Sequence, residues 1–489
     1  MHYINPEDRT QCSLFTSLDD MLSSANPVRV VDLIVNSIVS TNRGKFSEKG
    51  QESIGRRAYS PETLLKLYLY GYLNGIRSSR KLEAETHRNI EVMWLLGNLR
   101  PDHKTIANFR KDCSDQIKFT TTRFREFLRD EGYIEGKRVG IDGSRMKANA
   151  KRSMLSVEKI DKRLSRMEVD MDNYLKQLTM NDLHDDLLEE YGDDDTHSDG
   201  IDKHLIEKIA SLQEEIEKLH RQKQTLEERG TNRMSTTDPD AGLMKTVDGM
   251  VPSYNVQITV DEKYKLIADS EVTTEANDQE MLESMVTSLK EELDIEPEEV
   301  IADKGYYSPK LIQSIEEESK TSCYIPVPES SRDRDKITFT YDSEKDEYRC
   351  IEGKRLVLKS RNTIKKKRLA DLYKGIECDG CRIQSICTQS KTGRMYYRYH
   401  DEDWCDEYRT RMRGVVAKIA IGIRKSLVEH PFGTIRMLMG KMPLLMRGLG
   451  GVQSEINLHT TVYNLKRVLN IEGVAHIRNL IQDYEWKMA

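Results

Sequence analysis

Arg138-Val139-Gly140-Ile141-Asp142-Gly143-Ser144 is the stretch around which the rest of the chain is organised. Its apolar residues predict a buried β-strand that ends on the carboxylate of Asp142 and turns at once at Gly143. A carboxylate at a strand end can bind a metal ion, but no second candidate ligand lies close to it in the sequence. Asp142 therefore needs partners from distant parts of the chain.

Two later stretches carry matching chemistry. Val300-Ile301-Ala302-Asp303-Lys304-Gly305-Tyr306 predicts a second apolar strand that ends on an acid, and Glu429 follows a long helical run that Pro431 is expected to end or kink. Acids at the ends of adjacent parallel strands come within reach of a shared ion. Mg²⁺ needs only a few carboxylates, because water and substrate phosphates complete its shell. Each Asp-Gly alone is also a common turn, so the prediction of a metal site depends on the acids together.

Composition sets the class of protein. The chain has 489 residues, of which 37% are apolar and 32% charged, so we expect two to four domains. No stretch approaches the roughly 20 apolar residues of a membrane span, and the first residues lack a signal-peptide pattern. We therefore expect no membrane partner, a cytoplasmic location and reduced cysteines.

The net charge of -6 conceals opposed blocks. Residues 353–400 hold 13 Lys and Arg against 3 acids, and residues 406–467 hold 11 against 4. The later part of the chain, where the second and third acids lie, is therefore basic. The overall charge does not exclude DNA as a partner.

The first part of the chain predicts helices. Residues 1–135 contain several short helical patterns joined by tight turns, with Arg77 and Arg80 near the start of one of them. This organisation is typical of a helix-turn-helix-like domain that binds DNA. The alternative is a helical bundle whose charges only face water.

The middle of the chain predicts a sheet with an insertion. Residues 136–154 and 234–340 give the order strand, strand, strand, helix, strand, with the helix over Asp278–Leu289. Residues 155–233 carry two arms of coiled-coil-like spacing and predict an antiparallel helical hairpin. We therefore expect an α/β fold with a ribonuclease-H-like mixed sheet core, an all-α N-terminal domain and a helical-hairpin insertion. A basic, Cys-rich insertion would occupy residues 341–400, and residues 401–489 would return to the core.

The Cys-rich segment suggests a second metal. Four cysteines are candidates for a structural Zn²⁺ site: Cys350, Cys378, Cys381 and Cys387. The alternative is a cluster of reduced thiols without metal. Basic residues interleaved with aromatic ones lie around them and suit contact with a DNA backbone: Lys365, Lys366, Lys367, Arg368 and Arg398. A solvated basic face is the alternative there.

Taken together, these segments resemble the DDE transposases of bacterial insertion sequences. The residues that carry the resemblance run in the family's order: Ala58-Tyr59-Ser60-Pro61, Arg77 through Glu83, Pro101 through Ile106, Asp142-Gly143-Ser144, Asp303-Lys304-Gly305-Tyr306, Val428 through Gly433, Arg447-Gly448, Glu455 and Tyr463 through Arg467.

The resemblance implies that Asp142, Asp303 and Glu429 form a catalytic triad around two Mg²⁺ ions. It also implies that the N-terminal helices bind the terminal inverted repeats, and that a dimer or other homo-oligomer pairs two DNA ends. Lys425 and Arg436 fall at the charged positions of the family's signature around the last acid and are candidates for phosphate contact. Gly422 stands where the family has Tyr, so one element of the grip on the DNA end is missing.

The predicted activity is metal-dependent cleavage of the 3′ strand at the repeats, followed by strand transfer to target DNA. One alternative is a catalytically silent, transposase-derived DNA-binding protein. Another is a coiled-coil and zinc-ribbon scaffold without a DNA role, which leaves the two strand-end acids and the basic blocks unexplained.

Overall fold

The computed structural model describes residues 17–46, 58–191, 199–228, 230–328, 337–365, 368–390, 392–440 and 444–488, with side chains described outside residues 182–202. The helices have these bounds: α1 Val28–Thr41, α2 Arg43–Phe46, α3 Pro61–Leu73, α4 Ser79–Arg88, α5 Ile90–Leu96, α6 His103–Asp112, α7 Ser114–Asp130, α8 Val157–Tyr191, α9 Asp199–Glu228, α10 Met281–Leu293, α11 Pro309–Glu318, α12 Gln384–Cys387, α13 Glu402–Arg413, α14 Val415–Met439 and α15 Leu449–Asp483.

The strands alternate with these helices. Their bounds are β1 Arg138–Lys147, β2 Met154–Ser156, β3 Arg233–Ser235, β4 Gly242–Thr246, β5 Gly249–Asp261, β6 Ile267–Thr273, β7 Glu299–Ile301, β8 Ser322–Tyr324, β9 Phe339–Asp342, β10 Glu347–Cys350, β11 Arg355–Lys365, β12 Arg368–Gly375 and β13 Met395–Tyr399. Among the described helices, none is long and apolar enough to cross a bilayer.

The central sheet has the strand order β6-β5-β1-β7-β8, with β4 forming a hairpin onto β5. The β6, β5 and β1 strands are antiparallel, whereas β7 and β8 run parallel to β1. This mixed sheet, in which the first strand is central, confirms the predicted ribonuclease-H-like α/β fold. In the parallel half, β7 ends opposite Gly140, in the middle of β1.

The free edge of β6 is covered by α15. Asn464 accepts a hydrogen bond from the backbone N–H of Ile267 and donates one to its carbonyl, both at 2.8 Å. Gln453 does the same further along, accepting from Val272 N and donating to Ser270 O. These side chains satisfy the edge groups that would otherwise be open to pairing with another strand.

The N-terminal helices share one hydrophobic core with the sheet. The cluster begins at Leu22, includes Tyr68 and Phe124, and continues through Val139 and Ile141 of β1. The helices on this side therefore pack directly on the sheet. The opposite face is covered by α14 and part of α15.

Two smaller units branch from the core. In one, α8 packs on α9 through Ile160, Leu164 and Leu219, and β2 pairs with β3 at the base. In the other, strands β9 to β13 form a five-stranded sheet packed around Tyr348 and Tyr373.

One predicted helix begins later than expected. The helical pattern was predicted over Asp278–Leu289, but α10 begins at Met281. The Asp278 carboxylate instead accepts hydrogen bonds from Asn255 at 2.6 Å and from Gln257 at 2.8 Å. These tertiary contacts hold Asp278 outside the helix.

Candidate active site beside two parallel strands

The parallel register places Asp142 beside Asp303. Val139 of β1 is opposite Val300 of β7, and Gly140 is opposite Ile301. Asp142 lies two residues after Gly140 on β1, and Asp303 lies two residues after Ile301, just beyond the end of β7. Their side chains are 20% and 44% exposed, so both are accessible from solvent.

Asp142 lies inside a strand, and the prediction of a strand end and turn at Gly143 was wrong. β1 continues to Lys147 because β5 pairs with it along its whole length. Gly143 is required for a different reason: a Cβ built there would lie 2.4 Å from Nε2 of Gln257 on β5. The glycine therefore permits close approach of a neighbouring side chain.

Asp303 does follow the end of its strand. It caps the short 3₁₀ turn Lys304–Tyr306, and its Oδ1 accepts a hydrogen bond from Gly305 N at 2.7 Å. This cap fixes one carboxylate oxygen in the turn. The second oxygen faces the side chain of Arg424 at 4.0 Å.

Helix α14 crosses the sheet directly over β1. A Cβ at Gly140 would lie 2.7 Å from Leu427 and 2.9 Å from Val428, so glycine lets the helix approach the strand closely. One turn earlier, Arg424 donates a hydrogen bond of 2.7 Å to Asp142 Oδ1. The helix thus supplies a cation to the acidic pair.

The pKa of Asp142 reflects three competing effects. Burial raises the pKa most, the charge of Arg424 lowers it, and the neighbouring carboxylate of Asp303 raises it, which together place it at about 6. Two adjacent carboxylates repel each other, and the guanidinium offsets part of that repulsion.

The role of Arg424 was not predicted from the sequence. The missed signal is positional: residue 424 shares the sheet-facing stripe of α14 with the buried residues Ala420, Leu427 and Pro431. A charged residue on an apolar stripe requires a partner, and Asp142 is that partner.

Glu429 lies on α14 next to Val428, but its side chain is exposed. Pro431 was expected to end or kink the helix; the end does not occur, since α14 continues to Met439 with Pro431 inside it. Among the residues that the structure describes, no group of three or more His, Cys, Asp or Glu side chains is arranged to hold a metal ion as it stands. The structure therefore brings Asp142 and Asp303 together and leaves Glu429 apart from them.

The two predicted phosphate contacts share a helical face with Glu429. Lys425 precedes it by four residues and Arg436 follows it by seven, so the three side chains project on one side of α14. Both cations belong to exposed residues, and Arg436 donates a hydrogen bond of 2.6 Å to Ser144 Oγ, two residues after Asp142. A basic strip therefore lies next to the acidic pair.

The four cysteines lie close together in the small five-stranded sheet. Cys350, Cys378, Cys381 and Cys387 line one cavity of about 20 Å³. Burial raises the pKa of Cys387, the charge of Arg394 opposes this, and the neighbouring thiols raise the pKa further. A Cβ at Gly375 would lie 2.4 Å from the sulfur of Cys378, so the backbone leaves space for that sulfur. The donor set fits Zn²⁺ chemically, although the sulfurs do not yet form a closed site.

Part of the predicted basic surface of residues 341–400 makes contacts within the protein itself. Arg398 is 12% exposed, stacks over Tyr341 at 3.9 Å and pairs with Asp403. Arg368 stacks over Tyr399 at 4.1 Å and pairs with Asp401, and Lys365 is exposed. The predicted contacts Lys366 and Lys367 lie outside the described residues.

The prediction that Arg77 contacts DNA was wrong. Its side chain is 4% exposed and pairs with the buried Glu455 at 3.2 Å, while its Nη2 donates to Met439 O at 2.7 Å. It joins the N-terminal helices to α15. Arg80, three residues later, is exposed and remains a candidate.

Two family models match the sequence. Residues 16–112 match the model described as "Transposase domain (DUF772)", and residues 349–469 match the model described as "Transposase DDE domain". The second range includes Arg424 and Glu429, whereas Asp142 and Asp303 lie between the two ranges. No curated protein matches the sequence.

One similar solved structure is the "Cryo-EM structure of piggyBac transposase synaptic complex with hairpin DNA (SNHP)". The alignment has 10% sequence identity, covers 94% of this chain and 79% of that chain, and has a TM-score of 0.28.

Proposed function

We propose that this chain, which belongs to the insertion-sequence DDE transposases, cleaves DNA at the terminal repeats of its element and transfers the freed 3′ ends to target DNA. The observation that carries the proposal is the position of Asp142 beside Asp303, each two residues beyond the parallel β1–β7 register, with Arg424 near both. A basic helix face lies beside this pair and suits a DNA strand.

Asp142 and Asp303 would hold divalent metal, and Glu429 would join them once DNA is bound. Carboxylate oxygens are the ligands that Mg²⁺ prefers, and two of them leave room for water and phosphate oxygens. When bound, the metal supplies Lewis acidity to the attacking hydroxyl and to the leaving oxygen. Two ions are the proposed number.

The protein's own groups position the DNA strand. Lys425 and Arg436 would bind phosphates on either side of the scissile bond, and Arg424 would neutralise charge next to Asp142. Water attacks the phosphorus, and the bond to the 3′ oxygen of the element breaks, which releases a 3′ hydroxyl. That hydroxyl then attacks a target phosphodiester, so catalysis rests on position and electrostatics.

The remaining parts of the chain would bind DNA, pair two DNA ends and hold a structural metal ion. Residues 1–135 would bind the repeats with exposed cations such as Arg80, and residues 341–400 would bind flanking DNA through Lys365, Lys366, Lys367 and Arg368. A dimer would pair the two ends. The four cysteines would hold one structural Zn²⁺, closing around the ion as their thiols ionise.

The alternative is a silent DNA-binding protein, and one assay separates the two. Labelled fragments from either side of the gene are incubated with the protein in Mg²⁺, in Mn²⁺ or in EDTA. An active transposase nicks one fragment end at a fixed position, only with metal. Specific binding without a nick in either metal would support the silent protein.

A further inference from the structure

One buried side chain connects the segments that carry the two aspartates. Gln257 on β5 is 0% exposed and bonds to two residues from other elements. Its Nε2 donates to Asp278 Oδ1 at 2.8 Å, and its Oε1 accepts from the hydroxyl of Tyr306. Because an ionised carboxylate only accepts hydrogen bonds, the amide nitrogen must face Asp278 and the amide oxygen must face Tyr306. The direction of each bond is therefore fixed.

On one side, Gln257 contacts the strand of Asp142. It lies opposite Gly143 in the β1–β5 register, and its Nε2 occupies the space that any side chain at Gly143 would need. Asp142 itself points to the opposite face, towards α14. Gln257 thus supports the backbone directly behind the first acid.

On the other side, Gln257 holds the turn that presents Asp303. Tyr306 closes this turn, with its N–H bonded to Asp303 O at 3.1 Å, and its ring is 1% exposed. Its buried hydroxyl donates a hydrogen bond to Oε1 of Gln257, so Gln257 holds the end of the turn.

Asp278 anchors the arrangement. Besides Gln257, it accepts a hydrogen bond of 2.6 Å from Asn255 Nδ2, which lies two residues earlier on the same face of β5. Two amide donors on one carboxylate oxygen hold it in place in front of α10.

We propose that Gln257 is a positioning residue that fixes the separation of Asp142 and Asp303. It connects Gly143, next to the first acid, with Tyr306, three residues after the second. The inference rests on the proposed function, since the separation of two carboxylates matters to a shared ion. Loss of the connection would let the Asp303 turn shift and weaken metal binding before any DNA is present.

The test measures binding of Mn²⁺ alone to the full chain, from the electron paramagnetic resonance signal of the free ion. Gln257→Met keeps the side-chain length and removes both hydrogen bonds, and Tyr306→Phe removes one hydroxyl. We expect each to bind Mn²⁺ about tenfold more weakly, the usual effect of losing a partner behind a metal ligand.

Thr259→Val is the matched control. Thr259 is also buried on that face of β5, and its hydroxyl has no hydrogen-bond partner among the described residues. It should bind Mn²⁺ as the wild type does. Thermal unfolding of every variant shows whether weaker Mn²⁺ binding reflects loss of the fold or lower affinity of a folded protein.

Comparison with Asp142→Asn distinguishes failure of the proposed function from failure of the positioning role of Gln257. If Asp142→Asn binds Mn²⁺ as tightly as the wild type, the acidic pair is not the metal site and the proposed function fails. If Asp142→Asn loses binding while Gln257→Met and Tyr306→Phe retain it, the positioning role is overturned and the function stands. If Gln257→Met does not fold, Mn²⁺ binding by Tyr306→Phe alone decides whether the positioning role holds.

Discussion

Arg424 donates a hydrogen bond of 2.7 Å to Asp142, from a helix that crosses the strand carrying that acid. Both side chains are 20% exposed, so the ion pair is reached by solvent but partly shielded from it. The guanidinium also lies 4.0 Å from Asp303. The acidic pair thus carries its own counter-ion when no metal is bound.

This relationship predicts how metal binding depends on pH. The pKa of Asp142 is about 6, and Arg424 lowers it against the effect of burial. Mn²⁺ binding at subsaturating concentration should therefore increase between pH 5 and pH 7, as the carboxylate ionises. In Arg424→Gln the pKa should rise, so the midpoint of this increase should move to higher pH.

Lys418→Gln provides the control, because it removes one exposed positive charge from the same helix. Its midpoint should stay at the wild-type pH. An unchanged midpoint in Arg424→Gln would show that the guanidinium does not set the protonation of Asp142.

The buried pair Arg77–Glu455 predicts a large effect on stability. Glu455 is fully buried, and its second oxygen accepts from the backbone of Leu445 and Met446. Arg77→Met leaves that carboxylate without its cation, so the free energy of unfolding should fall by about 3–5 kcal/mol. Denaturant-induced unfolding of the wild type and of Arg77→Met measures this difference in free energy.

Arg80→Ala is the comparison for Arg77→Met. Because Arg80 is exposed, its loss should leave the unfolding free energy unchanged and weaken binding to the element's end. A loss of stability as large as that of Arg77→Met would contradict the assignment of Arg80 to the DNA-facing surface.

His459 predicts sensitivity to acid. It is fully buried against Tyr72, and burial, then the charges of Arg77 and Arg110, lower its pKa to about 3. The unfolded chain takes up this proton near pH 6.5 and the folded chain does not, so stability is complete above pH 6.5 and is lost towards pH 3.

His459→Phe cannot titrate, so its stability should depend less on pH. Between pH 7.5 and pH 5.0 the wild type should lose about 2 kcal/mol more than the variant, measured by urea unfolding at each pH. Equal losses in the two proteins would show that His459 already binds its proton in the folded state.

The cysteine cluster predicts bound zinc. Protein purified without chelator should contain about one zinc per chain by elemental analysis, and Cys381→Ser should lose it. Cys113→Ser, outside the cluster, should retain the metal. Zinc-free wild-type protein with unchanged thermal unfolding would favour the cluster of reduced thiols.

The sequence predicted the central features because they are local patterns. Apolar runs and the acids next to them can each be recognised within a few residues, and the order of elements was sufficient for the fold. The register that sets Asp142 beside Asp303 could only be anticipated, since it depends on which strands pair.

The wrong or missing predictions all concern residues whose roles depend on tertiary contacts. Gly143 suggested a turn, yet it makes room for Gln257 from a strand more than 100 residues away. Arg77 suggested a DNA contact, yet it is paired with Glu455 near the other end of the chain. Arg424 was missed because its role depends on a helix crossing a strand.

The most direct test of the proposed catalytic centre is the single-turnover rate of 3′-strand cleavage in Mg²⁺. Asp142→Asn, Asp303→Asn and Glu429→Gln should each slow cleavage on the order of 10³-fold while still binding the DNA end, because each removes a charged oxygen from the reacting centre. Glu407→Gln, which changes an exposed acid on α13, should cleave at the wild-type rate. Wild-type cleavage by Asp142→Asn or Asp303→Asn would contradict the account.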